Sequence, residues 1–402
     1  MQHNFKVQPP NKPKFHTSQM TSSLHSPPIT IIAASVTAEN AGFSDLHLDI
    51  IEAHILTRLD GPTLASTSCS STTLHHLSSE NHLWSRVCHS TWPSTATPRV
   101  RQVISTFPDG GHRTFFSQSF SLLLPENKQI HDLEPVNLRS IIYIILLNFF
   151  SVRIFDRNQK QWIQHTNSIA NRSSSPPELI SAVDIHYTNK VIFSSVQETE
   201  TTSNWFQCSP FRIDMIDPKE VISTPIKHPN DDDTCTNLIK HMTLSWILID
   251  PTGRRSINLS SFKSVSVQRH WLTGEVQVRF TSILTADEKR GHVQCEIVVT
   301  CSGSEAGEMQ VREVSLEVED MDGAHLNGRE SLVIIQNALE GKRGNGANRG
   351  EIGRKRYKDF LELRRERREK KLRREGALDS FCVAFGISIF VAFWCFLFCL
   401  RR

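Results

Sequence analysis

The side chains able to do chemistry are scattered through this 402-residue chain. The densest run of potential metal ligands is His228-Pro229-Asn230-Asp231-Asp232-Asp233. A calcium loop needs alternating oxygen ligands and a bidentate glutamate at a fixed spacing. This run has neither, so it reads as a solvated loop. The nine cysteines, at 69, 88, 208, 235, 295, 301, 382, 395 and 399, contain no C-x-x-C pair and give no zinc signature. Without a signal peptide they read as reduced cytosolic thiols. Cys208 and Cys235 have no local catalytic signature, and His186, His270, His292 and His325 stand far apart. No serine occupies a Gly-x-Ser-x-Gly elbow. Gly110-Gly111 lacks the Gly-Lys-Ser/Thr step of a phosphate loop and reads as a turn. The sequence therefore gives no positive support for an enzyme, a metal or a cofactor, and the expectation is none of the three. A net charge of +3 is too small to argue for nucleic acid.

The chain is organised around residues 45–88. Ser44 or Asp45 can cap a helix by accepting from a free first-turn N–H. At about 100° per residue, Leu48, Ile51, Ile55 and Leu59 share one face, and Leu46, Ile50 and Ala53 lie roughly opposite. A small helical domain buries one stripe, and a second stripe needs a partner to cover it. Asp60-Gly61-Pro62 stops this helix and opens the next, which carries Leu64. A third segment surrounds Leu74, and a fourth carries Leu83, Trp84 and Val87.

These residues resemble the F-box. The pattern is Leu46, Ile50, Ile51, Ile55-Leu56, Leu59-Asp60, Leu64, Ser68-Cys69-Ser70 and Leu83-Trp84, with His47 where the family usually has proline. The resemblance implies a domain over 41–92 that docks on a Skp-type adaptor and through it on a cullin. Leu46, Ile50, Leu56, Leu59 and Leu64 would be its adaptor contacts. Ile51, Ile55, Leu74 and Trp84 would form its core. Cys88-His89-Ser90-Thr91-Trp92-Pro93-Ser94 and Phe107-Pro108-Asp109-Gly110-Gly111-His112-Arg113 are similar to a plant group of F-box proteins with a membrane-spanning C-terminus. Asp250-Pro251, the 264–271 segment and the 318–323 segment share that similarity.

Outside the F-box, residues 1–40 are polar and proline-rich and read as a disordered tail. Residues 93–177 read as a linker region. Within them 141–150 is an apolar run too short to span a bilayer, read as an insertion or as translated non-coding sequence. From 178 to 340 the period changes to two. Val293, Cys295, Ile297, Val299 and Cys301 alternate, as do Val314, Leu316 and Val318, and hairpin turns fall at 188–190 and 273–274. Several short alternating strands predict an antiparallel sandwich or barrel. This β-rich domain would recognise the target protein, with the aromatics Trp205, Phe211 and Trp271 as contact candidates.

Residues 341–380 open as a Gly- and Asn-rich linker through Gly353 and continue as a basic helix. A solvated helix, a nucleic-acid patch and a segment touching anionic lipid compete for that helix. Phe381 to Leu400 decides between them: twenty uncharged, mostly apolar residues, enough at about 1.5 Å each to cross a core of about 30 Å. The expected fold is therefore α+β and multidomain, with a helical F-box, an antiparallel β-rich domain, a basic helix and one C-terminal transmembrane helix. The expected function is a membrane-tethered, non-catalytic substrate receptor of a cullin-based ubiquitin ligase, with partners in the adaptor, a protein target and membrane lipid. Its N-terminal bulk would be cytosolic, with endoplasmic reticulum and outer mitochondrial membrane both open. The competing reading is a tail-anchored tether whose helices bind a partner outside the ligase.

Overall fold

Local sequence signals account for most of the helical elements. A computed structural model of the chain describes residues 47–124, 176–229, 231–287 and 290–401. The 1–40 tail, Leu46 and the 141–150 run lie outside the described residues. The first helix starts as α1 (Leu48–Ile50), continues as a π turn (Ile51–Ile55) and closes as a 3₁₀ turn (Leu56–Arg58). Asp60 caps α2 (Gly61–Thr67) by accepting from the Thr63 N–H at 3.0 Å, and Pro62 sits in its first turn. Ser71 caps α3 (Thr72–Ser78) through the Leu74 N–H at 3.1 Å. α4 (Asn81–Thr91) follows, then a 3₁₀ turn (Pro93–Ala96), α5 (Pro98–Ser105) and α6 (His112–Phe120). The last three fall where a linker was expected. Val100, Val103, Ile104 and Phe107 recur at helical spacing, and all four are buried.

The β region is two antiparallel sheets that share one core. The first contains β2 (Glu178–Tyr187), β3 (Lys190–Glu200), β6 (Met242–Asp250) and β7 (Arg255–Asn258) in the order β3-β2-β6-β7, with β8 (Phe262–Lys263) on β6. The second runs β4 (Arg212–Asp214), β12 (Glu308–Asp320), β11 (His292–Gly303), β10 (Val276–Thr285) and β9 (Ser266–Arg269), with β5 (Ile222–Lys227) also on β12. The expected turn at 188–190 joins β2 to β3, with Thr188 and Asn189 at positive φ. The turn at 273–274 joins β9 to β10.

The first sheet is buried on both faces. Leu179, Val183, Leu244, Trp246 and Leu248 pack with the second sheet, whereas Ile180, Ala182, Ile247 and Ile249 pack with the helices. This middle position explains why 244–249 is a nearly continuous apolar run rather than an alternating one. Asp184 on β2 joins the layers. It is fully buried, and it accepts from the Ser94 N–H at 2.9 Å, the Ser94 hydroxyl at 2.5 Å and the Ser194 hydroxyl at 2.7 Å. Two short helices, α7 (Asn204–Cys208) and α8 (Asp232–His241), and the longer α9 (Gly328–Glu340) add to the shared core.

The expected flexible linker at 341–353 is folded. β1 (Leu122–Leu123) pairs with β13 (Arg343–Gly344), and α10 (Arg349–Leu400) begins five residues later as one unbroken 52-residue helix. Its first third is fastened to the body. Phe360 is buried, and Arg354 donates to the carbonyls of Ser264 (2.9 Å) and Ile239 (2.8 Å). Arg367 donates to the Arg290 carbonyl and pairs with Asp322 at 3.6 Å. Beyond Arg367 the helix leaves the body, and every residue of its apolar window is exposed.

Candidate adaptor-binding and recognition surfaces

The π turn decides which residues of the first helix point outward. In an ordinary α-helix the buried position after Ile51 would be Ile55, four residues on. A π turn inserts one residue, and the next fully buried side chain is Leu56, five residues on. Leu56 (1% exposed) and Leu64 (0%) are therefore core residues of this chain, not surface contacts as expected. Ile55, Leu59 and Leu74 are partly buried and pack against the same core, in which Ile51 and Trp84 are buried. Leu48 and Ile50 remain 47% and 46% exposed, and Ala53 and His54 are exposed as well. Only Ile50 and, at the margin, Leu59 remain of the expected adaptor contacts within the described residues.

Trp84 holds the helical layer together. Its Nε1–H donates to the Ser78 carbonyl at 2.7 Å, and its ring lies 5.5 Å from Phe116. Phe116 also packs on Trp92 at 5.2 Å and stacks on Phe120 at 5.1 Å. A Cβ at Gly61 would run into the Phe116 ring, so the start of α2 needs glycine there. Sequence reasoning missed Trp92, Phe115 and Phe116, which complete this core from beyond residue 91; the signal was the aromatic spacing of 115, 116 and 120.

Titratable groups in this layer are structural. Burial, helped by nearby His89 and Arg101, lowers the His112 pKa to about 4, and Asn81 Oδ1 lies 3.0 Å from its Nδ1. Burial pushes up the Cys88 thiol, which donates to the His112 carbonyl. Burial also raises Asp184, against the opposing pull of its hydroxyl and amide donors. In the second sheet, burial pushes Cys295 and Cys301 up to about 12, so neither is a ready nucleophile.

Of the three recognition candidates, Phe211 is buried at 1% and packs 5.9 Å from Phe206. It directly precedes β4, which carries Ile213 inward and Arg212 outward, and its burial makes it core and corrects that expectation. Trp205 on α7 and Trp271 on the β9–β10 turn are 79% and 87% exposed. Leu272 beside Trp271 is 71% exposed, and the His270 ring stacks on the indole.

Among the described residues, groups able to ligate a metal come together at one place that the sequence did not reveal. Carboxylate and imidazole atoms of Glu317, Glu319 and His325 lie within 4.8 Å of one another. Glu317 and Glu319 are two apart on β12, and a bridge between Glu319 and His325 brings in the third. Arg212 pairs with Glu317, and Arg364 approaches Glu319 at 4.0 Å. Burial, with Glu296 nearby, raises the Glu319 pKa. The arginines make this an ion-pair network beside α10 at Arg364. In the 228–233 loop, Asp231 is spent as the N-cap of α8 in a capping box with Thr234.

No family model matches the chain, and no solved structure matches it. Curated relatives do. The chain is 44% identical over 360 residues to the probable F-box protein At2g36090 of Arabidopsis thaliana, covering 89% of this chain and 94% of the relative. The chain belongs to the plant F-box proteins. Two further Arabidopsis thaliana members agree: F-box protein At2g27310, 39% identical over 368 residues (88% of this chain, 96% of the relative), and F-box protein At3g44326, 40% identical over 351 residues (84% and 86%). The similarity covers 84–89% of this chain in the three relatives.

Proposed function

We propose that this F-box protein is the substrate receptor of a cullin-based ubiquitin ligase, tethered to a membrane by residues 381–400. The observation that carries the ligase half is the exposed apolar start of the first helix, in a chain akin to F-box proteins over most of its length. Ile50 is left at 46% exposure with no cover from the body, while Leu56 and Leu64 turn inward to support it. Adaptor docking then uses Ile50, the adjoining exposed Ala53 and Leu59, with Leu46 ahead of them. The β region, with the exposed Trp205 on α7 and Trp271 on the β9–β10 turn, binds the target. The protein makes and breaks no bonds itself; it supplies proximity between a target lysine and the charged ubiquitin carrier.

The tether half rests on α10. Its apolar window has a mean hydropathy of 2.5, none of it buried. A soluble helix of that composition would hide at least one face. The Lys- and Arg-rich stretch from 364 to 374 precedes it and holds the body on the cytosolic side. Two measurements test the proposal. Co-precipitation of the full chain with a Skp-type adaptor tests the first half, and sucrose-gradient flotation with vesicles tests the second.

A further inference from the structure

The root of the tail helix holds a buried cation that no carboxylate among the described residues pairs with. Arg349, the first residue of α10, is 8% exposed. Its guanidinium lies between two aromatic rings, 5.1 Å from the Phe120 centroid and 4.1 Å from that of Phe262. Rings stacked on the two faces satisfy a guanidinium through its π surface. They leave its five N–H donors, which lie in the plane. Nη1 has no hydrogen-bond partner among the described residues. Burial is the sole cause that moves its pKa, down to about 10; no carboxylate opposes it. A buried charge without a counter-ion costs several kcal/mol in a typical protein, so a protein that retains one has a use for it.

The surroundings point to an anion. Arg349 lines a cavity of about 160 Å³ with Phe262, Lys263, Asn348 and Glu351. The cavity sits at the N-terminus of a 52-residue helix whose Asn348 makes no side-chain cap. In this first turn the Arg349 N–H donates to the Gly346 carbonyl and the Glu351 and Ile352 N–H groups to that of Asn348, so among the described residues the Gly350 N–H and the partial positive charge of the helix end are what it offers a ligand. Gly350 lets the Lys263 stem approach closely, since a Cβ there would meet Lys263 Cγ at 2.8 Å. Phe262 is held at φ +66°, a left-handed conformation that costs a bulky residue energy and is kept where the surroundings need it. Glu351 is the one acid on the wall, and it opposes an anion.

We infer that this cavity binds a compact phosphate-type oxyanion between Arg349, Lys263 and the first turn of the tail helix. The anion meets the part of the Arg349 side chain that lines the cavity. Inorganic phosphate and the phosphate of a lipid headgroup share this chemistry. Geometry favours the soluble source, because Arg349 precedes the apolar span at Phe381 by about 48 Å of helix at roughly 1.5 Å per residue. The site joins three parts of the fold: Phe120 ends α6, Phe262 and Lys263 form β8, and Arg349 starts the tail. An occupied site therefore fastens the tail root to the body. This inference is independent of adaptor docking.

The test uses the full chain in phosphatidylcholine nanodiscs. Thermal unfolding and calorimetric binding are measured with millimolar inorganic phosphate against chloride at equal ionic strength. Phosphate is expected to bind and raise the midpoint. Arg349→Gln and Lys263→Gln should each weaken binding about tenfold or more, the worth of a hydrogen bond to a charged group. Glu351→Gln should tighten it. A second arm replaces free phosphate with phosphatidic acid in the disc and should give no shift. The inference is overturned if phosphate acts no differently from chloride, if the wild-type affinity survives in Lys263→Gln, or if only the phosphatidic-acid discs shift the midpoint. Lys263→Gln decides the matter even where Arg349→Gln fails to fold.

Discussion

Replacing Asp184 by alanine should separate the helical layer from the sheet it rests on. The side chain accepts from three buried donors: the Ser94 N–H, the Ser94 hydroxyl and the Ser194 hydroxyl. Each donor left without an acceptor costs about 1–3 kcal/mol. Removing the carboxylate also relieves the cost of burying it, which raises its pKa in the folded state. The balance is a loss of about 3 kcal/mol, more than a hundredfold in the folded fraction. Urea denaturation of the 49–377 body, followed by far-UV circular dichroism, reads the loss. The pH dependence carries a sign of its own. Because the folded carboxyl titrates above its usual 3.8, its stabilising contribution is present below that value and is lost as pH rises through the raised folded pKa. Asp184→Asn should abolish that slope. A loss under about 1 kcal/mol for Asp184→Ala, or an unchanged slope in Asp184→Asn, would refute the reasoning.

Three further outcomes follow from the same geometry. Leu64→Ala should cost about 2–5 kcal/mol because the side chain is fully buried, while Ile50→Ala should cost under about 0.5 kcal/mol; chemical denaturation compares them directly. His112 is held neutral by burial with a pKa of about 4, below its usual 6.5, so its contribution is intact above 6.5 and is lost as pH falls toward 4. His112→Gln should flatten stability across that window, measured by thermal unfolding at several pH values. Truncation after Ala377 should leave the unfolding midpoint of the body within a few degrees of the full chain while abolishing flotation with vesicles, since the helix beyond Arg367 touches nothing in the body.

What the sequence made legible was local. Alternation over 293–301 and 314–318 marked β11 and β12, and Thr188-Asn189 marked a hairpin whose two residues do adopt positive φ. The uncharged run from 381 to 400 marked the tail helix. What escaped was set by contacts distant in the chain. The π turn at 51–55 adds one residue to the first helix, which moves Leu56 into the core while Ile55 stays partly buried against it, and nothing in Ile-Glu-Ala-His-Ile announces it. Residues 98–120 lacked a family pattern but carried a helical stripe, and their core partners lie on β2 and β6, roughly sixty or more residues on. The Gly- and Asn-rich 341–353 segment had the composition of a linker. It is folded because β13 pairs with β1 and because Arg349 is held between Phe120 and Phe262. Phe211 was indistinguishable from Trp205 and Trp271 until its strand had a direction.

The central claim is that the first helix docks on a Skp-type adaptor through Ile50 and its exposed neighbours. The most direct measurement is capture of the adaptor by the full chain, by Ile50→Asp and by Leu64→Ala, normalised to folded protein. The full chain is used because a fragment ending at residue 95 would strip Trp92 of Phe115 and Phe116. The account predicts capture by the wild type, loss in Ile50→Asp with an unchanged unfolding midpoint, and retained capture by whatever fraction of Leu64→Ala is folded. Equal capture by the wild type and Ile50→Asp, or none by a well-folded wild type, would contradict it.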